Sequence, residues 1–281
     1  MIRTKRLHQI MKKSNMTDIL RTENLCKSFA GFEAVIDVNI SLKKGEIYGF
    51  LGPNGAGKTT TIKMLVGLLR PTGGEVKING RRMVSEPLEC KKVTGYIPDR
   101  PFLYEKLTGE EYLRFIQSLY PEAAAGRGLE NADQYLTLFD LQDWRHHLIE
   151  GYSHGMRQKL IMTSILMLDQ QLIVVDEPMV GLDPKSARVV KELFRQKARD
   201  GKTIFLSTHS MEIAEELCDR ITIIVGGRIR ATGTMKELRT MAGNDKEHLE
   251  DVFLQLTGAF ELQEVIRALR EPVSKVAEAE D

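Results

Sequence analysis

Eight residues restrict this chain more than any others: Gly52-Pro53-Asn54-Gly55-Ala56-Gly57-Lys58-Thr59. They fit G-x-x-x-x-G-K-[ST], with an apolar strand pattern over 47–51 before them and a helical pattern over 58–69 after. Glycines let a backbone wrap closely around phosphate oxygens with its amide N–H groups pointing inward. The helix that opens there adds the positive end of its dipole. Lys58 is spaced to reach the β- and γ-phosphates, the Thr59 hydroxyl to ligate Mg²⁺, and Thr60 follows in the first helical turn. Two glycines so spaced before Lys-Thr arise by accident in roughly one chain in a hundred of this length. The strand–turn–helix context lowers that further. A nucleoside triphosphate site follows.

The remaining chain must supply a sheet around that unit. Short β-rich segments are expected at 19–28, 34–42 and 46–51, and a mainly helical region at 101–167. Within it Tyr112, Leu113, Phe115, Ile116 and Leu119 recur at one-face spacing and read as local core. Strand and helix then alternate: strand 172–175, helix 185–197, strand 203–207, helix 211–217. Strands 221–225 and 228–232 flank Gly226-Gly227 as a hairpin. Near-continuous apolar strands alternating with helices indicate an α/β fold with a largely parallel, doubly covered sheet. The chain has 281 residues, enough for one large α/β domain with an appendage.

Its net charge of +1 argues against a nucleic-acid partner. Cys26, Cys90 and Cys218 lie far apart and read as reduced thiols, and neighbouring His146 and His147 would diverge on a helix rather than share a metal. No run approaches the 18 or so apolar residues of a membrane span. Residues 1–16 form a basic leader without an apolar centre, expected to be disordered, with Met11 or Met16 as alternative natural starts.

Four further segments carry chemistry. The strand 172–175 ends in Asp176-Glu177. At the carboxyl end of a buried strand, Asp176 is placed to hold Mg²⁺ through water and Glu177 to polarise an attacking water, which suits phosphoryl transfer. Tyr152-Ser153-His154-Gly155-Met156-Arg157-Gln158 opens a helix. Ser153 there can cap the helix or, with the Gly155 backbone, meet an anion. Gly181-Leu182-Asp183-Pro184 follows the acids, and His209 sits just past strand 203–207, either structural or within reach of the γ-phosphate end.

With these segments in order, the chain resembles the ABC ATPase family over about 19–234. The resemblance implies a P-loop NTPase (RecA-like) core with an antiparallel β subdomain and an ABC helical subdomain. It divides the chain into an ATPase domain at 17–235, its helical subdomain at about 100–167, and a C-terminal helical extension at 236–281. It assigns 52–59 as Walker A, 172–177 as Walker B, 153–156 as the signature loop, 181–183 as the D-loop and His209 as the switch histidine. Phe29 matches the aromatic that stacks on adenine. The implied ligands are ATP and Mg²⁺: Glu177, His209 and Asp99 catalytic, Thr59, Asp176 and Asp99 at the metal, Ser153, Gly155 and Asp183 at the nucleotide. The chain departs from the pattern twice: His154 and Met156 replace Gly and Gln of LSGGQ, and Asp99 stands where a Gln is usual. An Asp there adds negative charge and cannot donate a hydrogen bond.

In this family two cassettes pair head to tail around two ATP molecules, so a homodimer is implied. The wording around 95–99, 152–158 and 249–254 is similar to bacterial ABC type-two exporters, including antibiotic-resistance and sodium-export systems. There an integral membrane permease is a separate chain, which places the ATPase in the cytoplasm, peripheral at the inner membrane face. Residues 98–119 resemble the stretch that meets a coupling helix, and Pro101-Phe102-Leu103-Tyr104 could present it with an apolar edge. Phe260, Leu262, Val265, Ile266 and Leu269 read as an amphipathic helix covering the cassette. The competing reading is a nonhydrolytic regulatory module of the same type acting outside transport, with Asp99 disabling turnover.

Overall fold

The computed structural model describes residues 18–100, 102–120, 128–243 and 248–257. The basic leader, Pro101 and the amphipathic stretch at 260–269 lie outside the described residues.

Two sheets face each other. The first is antiparallel: β1 (Asp18–Phe29), β2 (Phe32–Val38), β5 (Gly73–Ile78) and β6 (Arg81–Arg82) run in the order β2-β1-β5-β6, and β3 (Ser41–Lys43) pairs with β1 off that path. The expected single strand over 34–42 is therefore two. Asp37 turns left-handed at φ 51° and Asn39 donates both to the Asp37 carbonyl and to its carboxylate, at 3.0 and 2.9 Å. That local ring redirects the chain to a different part of β1.

The second sheet has the order β11-β10-β4-β9-β8-β7. Its strands β4 (Ile47–Leu51), β7 (Thr94–Ile97), β8 (Leu172–Asp176), β9 (Thr203–Thr208) and β10 (Arg220–Val225) are parallel, and β11 (Arg228–Gly233) returns antiparallel to β10 through the expected hairpin. Every side chain of β4, β8 and β9 is buried, as in a sheet covered on both faces. The period of two divides them cleanly. Tyr48, Phe50, Leu172, Val174 and Phe205 join the layer shared with the antiparallel sheet, while Ile47, Ile173, Val175, Ile204 and Leu206 join the helical layer.

Helix α1 (Lys58–Leu65) lies in the first layer, burying Ile62, Met64 and Leu65. Each such side chain contributes about 1.5–3 kcal/mol on leaving water. It stops four residues before the expected end, at Val66, where Gly67 turns to φ 71°. Helix α2 (Pro87–Lys92) precedes β7. The helical layer holds α3 (Gly109–Ser118), α4 (Gly128–Leu138), two single 3₁₀ turns, α5 (His154–Leu166) and α6 (Pro184–Arg199). A reciprocal capping box between Thr108 and Glu111 starts α3. Only part of the expected α3 core is core: Tyr112 and Leu113 are buried and Ile116 packs against them, but Phe115 and Leu119, one turn apart, face outward. Helices α7 (Met211–Leu217), α8 (Met235–Ala242) and α9 (Leu249–Thr257) cover the β10 end of the sheet, with Leu238, Leu249, Val252 and Phe253 against Leu51, Ile221 and Ile223. No described helix is long and apolar enough to cross a membrane.

Candidate nucleotide site

Parallel strands deliver their carboxyl ends to one edge of the sheet, and the candidate residues gather there. The loop after β4 is held from behind. Ala56 is buried, and its carbonyl accepts from Gly227 N–H at 3.0 Å. A Cβ on Gly52 would stand 2.3 Å from the Ile224 carbonyl oxygen; one on Gly57, which has φ 102°, would stand 2.5 Å from that of Ala34. These two positions are glycine because neighbouring backbone leaves no room. Lys58 is only 7% exposed. Its ammonium donates to the Gly52 carbonyl at 2.6 Å and to the Pro53 carbonyl at 3.3 Å, and stands 3.9 Å from the Glu177 carboxylate. Burial pulls its pKa down, against the attraction of Glu177 and Asp176.

The two acids at the end of β8 differ in environment. Asp176 is almost fully buried, and its carboxyl is pushed up by burial, with the Ser207 and Thr59 hydroxyls working against that shift and the Glu177 and Asp99 charges adding to it. Glu177 turns left-handed at φ 50°, which swings its side chain off the strand line. One carboxylate oxygen lies 2.8 Å from His209 Nδ1; the other accepts from the Thr208 hydroxyl at 3.2 Å. His209 thus reaches the site through Glu177. Asp99 follows β7, whose Tyr96 phenol is pushed up to about 12 by burial and by the Asp176 and Asp99 charges.

Together they enclose a cleft of about 280 Å³ lined by Pro53, Asn54, Gly55, Gly57, Lys58, Thr59, Thr60, Asp99, Asp176 and Glu177, with Phe32 and Ala34. Among these, Lys58 is the cation and three residues are carboxylates. Gly52 and Ala56 sit behind the lining. Phe29 does not line it; its ring lies under the Lys27 ammonium, 5.0 Å away. Phe32, directly opposite Phe29 across the β1–β2 turn, does line it. The Ala30-Gly31 turn, with φ 46° and 89°, was the available signal, since a two-residue turn sets its flanking aromatics face to face.

Ser153, Gly155 and Asp183 are not in the cleft lining. Ser153 caps α5, accepting from Met156 N–H at 3.3 Å. Asp183 caps α6, and the Ser186 amide and hydroxyl hold its carboxyl well below the usual range. Lys159 of α5 reaches Asp183 at 3.2 Å, so these residues form one second cluster. Gln158, fully buried, donates at 3.4 Å to the Pro98 carbonyl and ties that helix to the strand end carrying Asp99.

Comparison with known proteins gives the family and the fold. Residues 35–180 match the family model described as ABC transporter. The fluoroquinolones export ATP-binding protein of Mycobacterium tuberculosis is 38% identical over 236 residues, covering 83% of this chain and 77% of its own. The daunorubicin/doxorubicin resistance ATP-binding protein of Streptomyces peucetius is 37% identical over 229 residues, 82% of this chain and 69% of its own. A solved ATP binding subunit of an ABC transporter superposes with a TM-score of 0.82 at 33% identity, over 85% of this chain and 99% of that one. A cassette solved as a dimer in a post-hydrolysis state with ADP and Pi shares the fold, with a TM-score of 0.68 at 24% identity over 77% and 98% of the two chains. A glycine-rich loop with a buried lysine facing two strand-end acids, on a scaffold matched over most of its length by such relatives, makes this chain a member of the ABC transporter family, an ATP-binding and ATP-hydrolysing subunit.

Proposed function

We propose that this chain powers an exporter permease made as a separate polypeptide, and that it works as a head-to-tail pair of cassettes. The observation that carries this reading is the division of anion-binding groups. Lys58 and its loop line one cleft, whereas Ser153, Gly155 and Asp183 cluster outside it. A second copy turned end to end would bring its Ser153 helix N-terminus to the triphosphate and complete the site.

In that arrangement the amides of 53–57 and Lys58 hold the β- and γ-phosphates, and Phe32 of the β1–β2 turn serves the base. Thr59, Asp176 and Asp99 offer hard oxygen donors at the cleft, a donor set that fits Mg²⁺. The ion, when bound, neutralises phosphate charge. Glu177 orients and polarises the attacking water, and His209, already bonded to Glu177, senses the γ-phosphate end.

Two relatives named for drug export or resistance support the exporter reading. A permease-facing edge is supported by Phe102, 82% exposed, stacked edge-on against Tyr104 at 6.2 Å, which meets Phe115 at 5.4 Å. Leu103 is excluded from that edge because it turns into the helical core. Docking there would set the chain at the cytoplasmic face of the membrane.

The test is Glu177→Gln. The amide keeps the bonds to His209 and Thr208 but is no base, so turnover falls by about 10²–10⁴-fold while ATP still binds. Size-exclusion chromatography with ATP should then show accumulated dimer. Wild-type turnover in that variant would remove Glu177 from its role; a monomer at saturating ATP would remove the paired-cassette reading.

A further inference from the structure

The signature position where the family carries glycine holds His154 here, and the structure shows what its ring touches. A Cβ built on Gly181 would lie 2.5 Å from His154 Cδ2 and 2.9 Å from Nε2. A Cβ on Gly155 would lie 2.9 Å from the Gly181 carbonyl oxygen. The ring therefore rests directly on the bare backbone of Gly181, which turns at φ 78°, while the Gly155 backbone closes on it from beside. Lys159 to Asp183, with the lysine side chain 13% exposed, ties the same two segments one helical turn further on.

The segment between Glu177 and Gly181 is a short hydrogen-bonded turn. Val180 N–H donates to the Glu177 carbonyl at 3.3 Å, and Leu182 N–H to that of Met179 at 3.3 Å. Glu177 N–H is itself fixed to the Ser207 carbonyl at 3.0 Å. A hydrogen-bonded turn therefore joins Glu177 to Gly181 and to the ring packed on it.

We propose that His154 is a positioning residue that locks the 153–156 loop to the 181–183 loop of its own chain, so that each cassette's Glu177 and the Ser153 edge it presents to its partner move as one unit. This rests on the paired-cassette reading above. His154 then couples the two ATP sites: the state of the water-activating acid in one cleft sets the grip of the same chain on the ATP in the other. Glycine at 154 would remove the ring from Gly181 and leave the Gly155–Gly181 backbone approach and the Lys159–Asp183 pair in place. The imidazole contributes its shape, so its charge state is not part of the device.

The experiment uses the full chain and compares wild type, His154→Gly, His154→Phe, Gly181→Ala and the double variant His154→Gly/Gly181→Ala. The Hill coefficient of ATP hydrolysis reports coupling between two sites and can approach about 2. The Kd for ATP of the dilute monomer reports the intact cleft. We expect wild type to be cooperative and His154→Gly to fall to a Hill coefficient of about 1, with monomer Kd changed by less than about threefold. His154→Phe, which refills the notch without ring nitrogens, should restore cooperativity. Gly181→Ala should lower turnover more in the wild-type background than beside His154→Gly, where the Cβ no longer meets a ring. A His154→Gly enzyme as cooperative as wild type, or a Gly181→Ala effect equal in both backgrounds, overturns the lock. Failure of Glu177→Gln to dimerise with ATP would instead overturn the paired-cassette reading, and the lock with it.

Discussion

Lys58→Met separates what the cleft needs for folding from what it needs for binding. The buried ammonium stands 3.9 Å from Glu177, an attraction of about 4 kcal/mol at an effective dielectric of 20. Removing an ammonium from water costs several kcal/mol in return. Burial pulls the Lys58 pKa down, against the attraction of Glu177 and Asp176. Methionine has similar length and no charge, so the desolvation cost and the attraction are lost together, leaving the Gly52 and Pro53 carbonyls to be satisfied by water at the cleft mouth. Net stability should change by about 1 kcal/mol or less, a Tm shift of about 2–4 °C for a chain of this size. Binding responds differently. Lys58 is the only cation among the described lining residues, set against three carboxylates. Loss of one hydrogen bond from a charged donor to phosphate costs about 1.5–3 kcal/mol, or about 10- to 150-fold in Kd. Thermal melting and calorimetric titration with ATP on the same preparation read both. A Tm loss beyond about 10 °C would make Lys58 a structural residue; an unchanged Kd would refute the cradle.

Phe194→Ala removes a fully buried ring from α6 and should cost about 3–5 kcal/mol by urea unfolding; a loss below about 1 kcal/mol would mean that this helix is loosely packed. Asp169 is partly buried, which raises its pKa, but the Lys197 and Lys202 hydrogen bonds outweigh that and hold it below normal. A depressed carboxylate stabilises the fold above its unfolded pKa of about 3.9 and loses that contribution as pH falls through the folded value. Asp169→Asn, which suits the φ of 54°, should therefore cost about 0.5–1 kcal/mol at neutral pH, a value discounted for the half-exposed carboxylate, and almost nothing near the acid limit. A loss independent of pH would place the effect in the turn rather than the charge. Asp99→Asn should tighten metal-free ATP binding, by removing one carboxylate, and raise the Mg²⁺ concentration for half-maximal hydrolysis several-fold; an unchanged Mg²⁺ dependence would remove Asp99 from the metal.

Much of the architecture was legible because its signals are local. The β4 loop announces itself through glycines that backbone contacts require at 52 and 57, and the buried strands read as unbroken apolar runs. The short antiparallel strands were harder. β5 alternates over only four residues, Glu75 to Ile78, and β6 is two arginines, while the break at Asp37–Asn39 depends on a side-chain ring that no pattern of hydrophobicity records. The outward face of α3 is not legible in the sequence for a related reason: residues three and four apart do share a helix face, but a helix has several such faces, and only the partner decides which is inside.

By itself the sequence marked the glycine-rich loop after β4 and the two acids at the end of β8, because each depends on neighbours within a few residues. Tertiary structure alone decided that Phe32 reaches the cleft, that His209 reaches it through Glu177, and that His154 lies on Gly181. Those contacts join segments distant along the chain, and their geometry is set by how parallel strand ends and helix caps converge at one edge of a sheet.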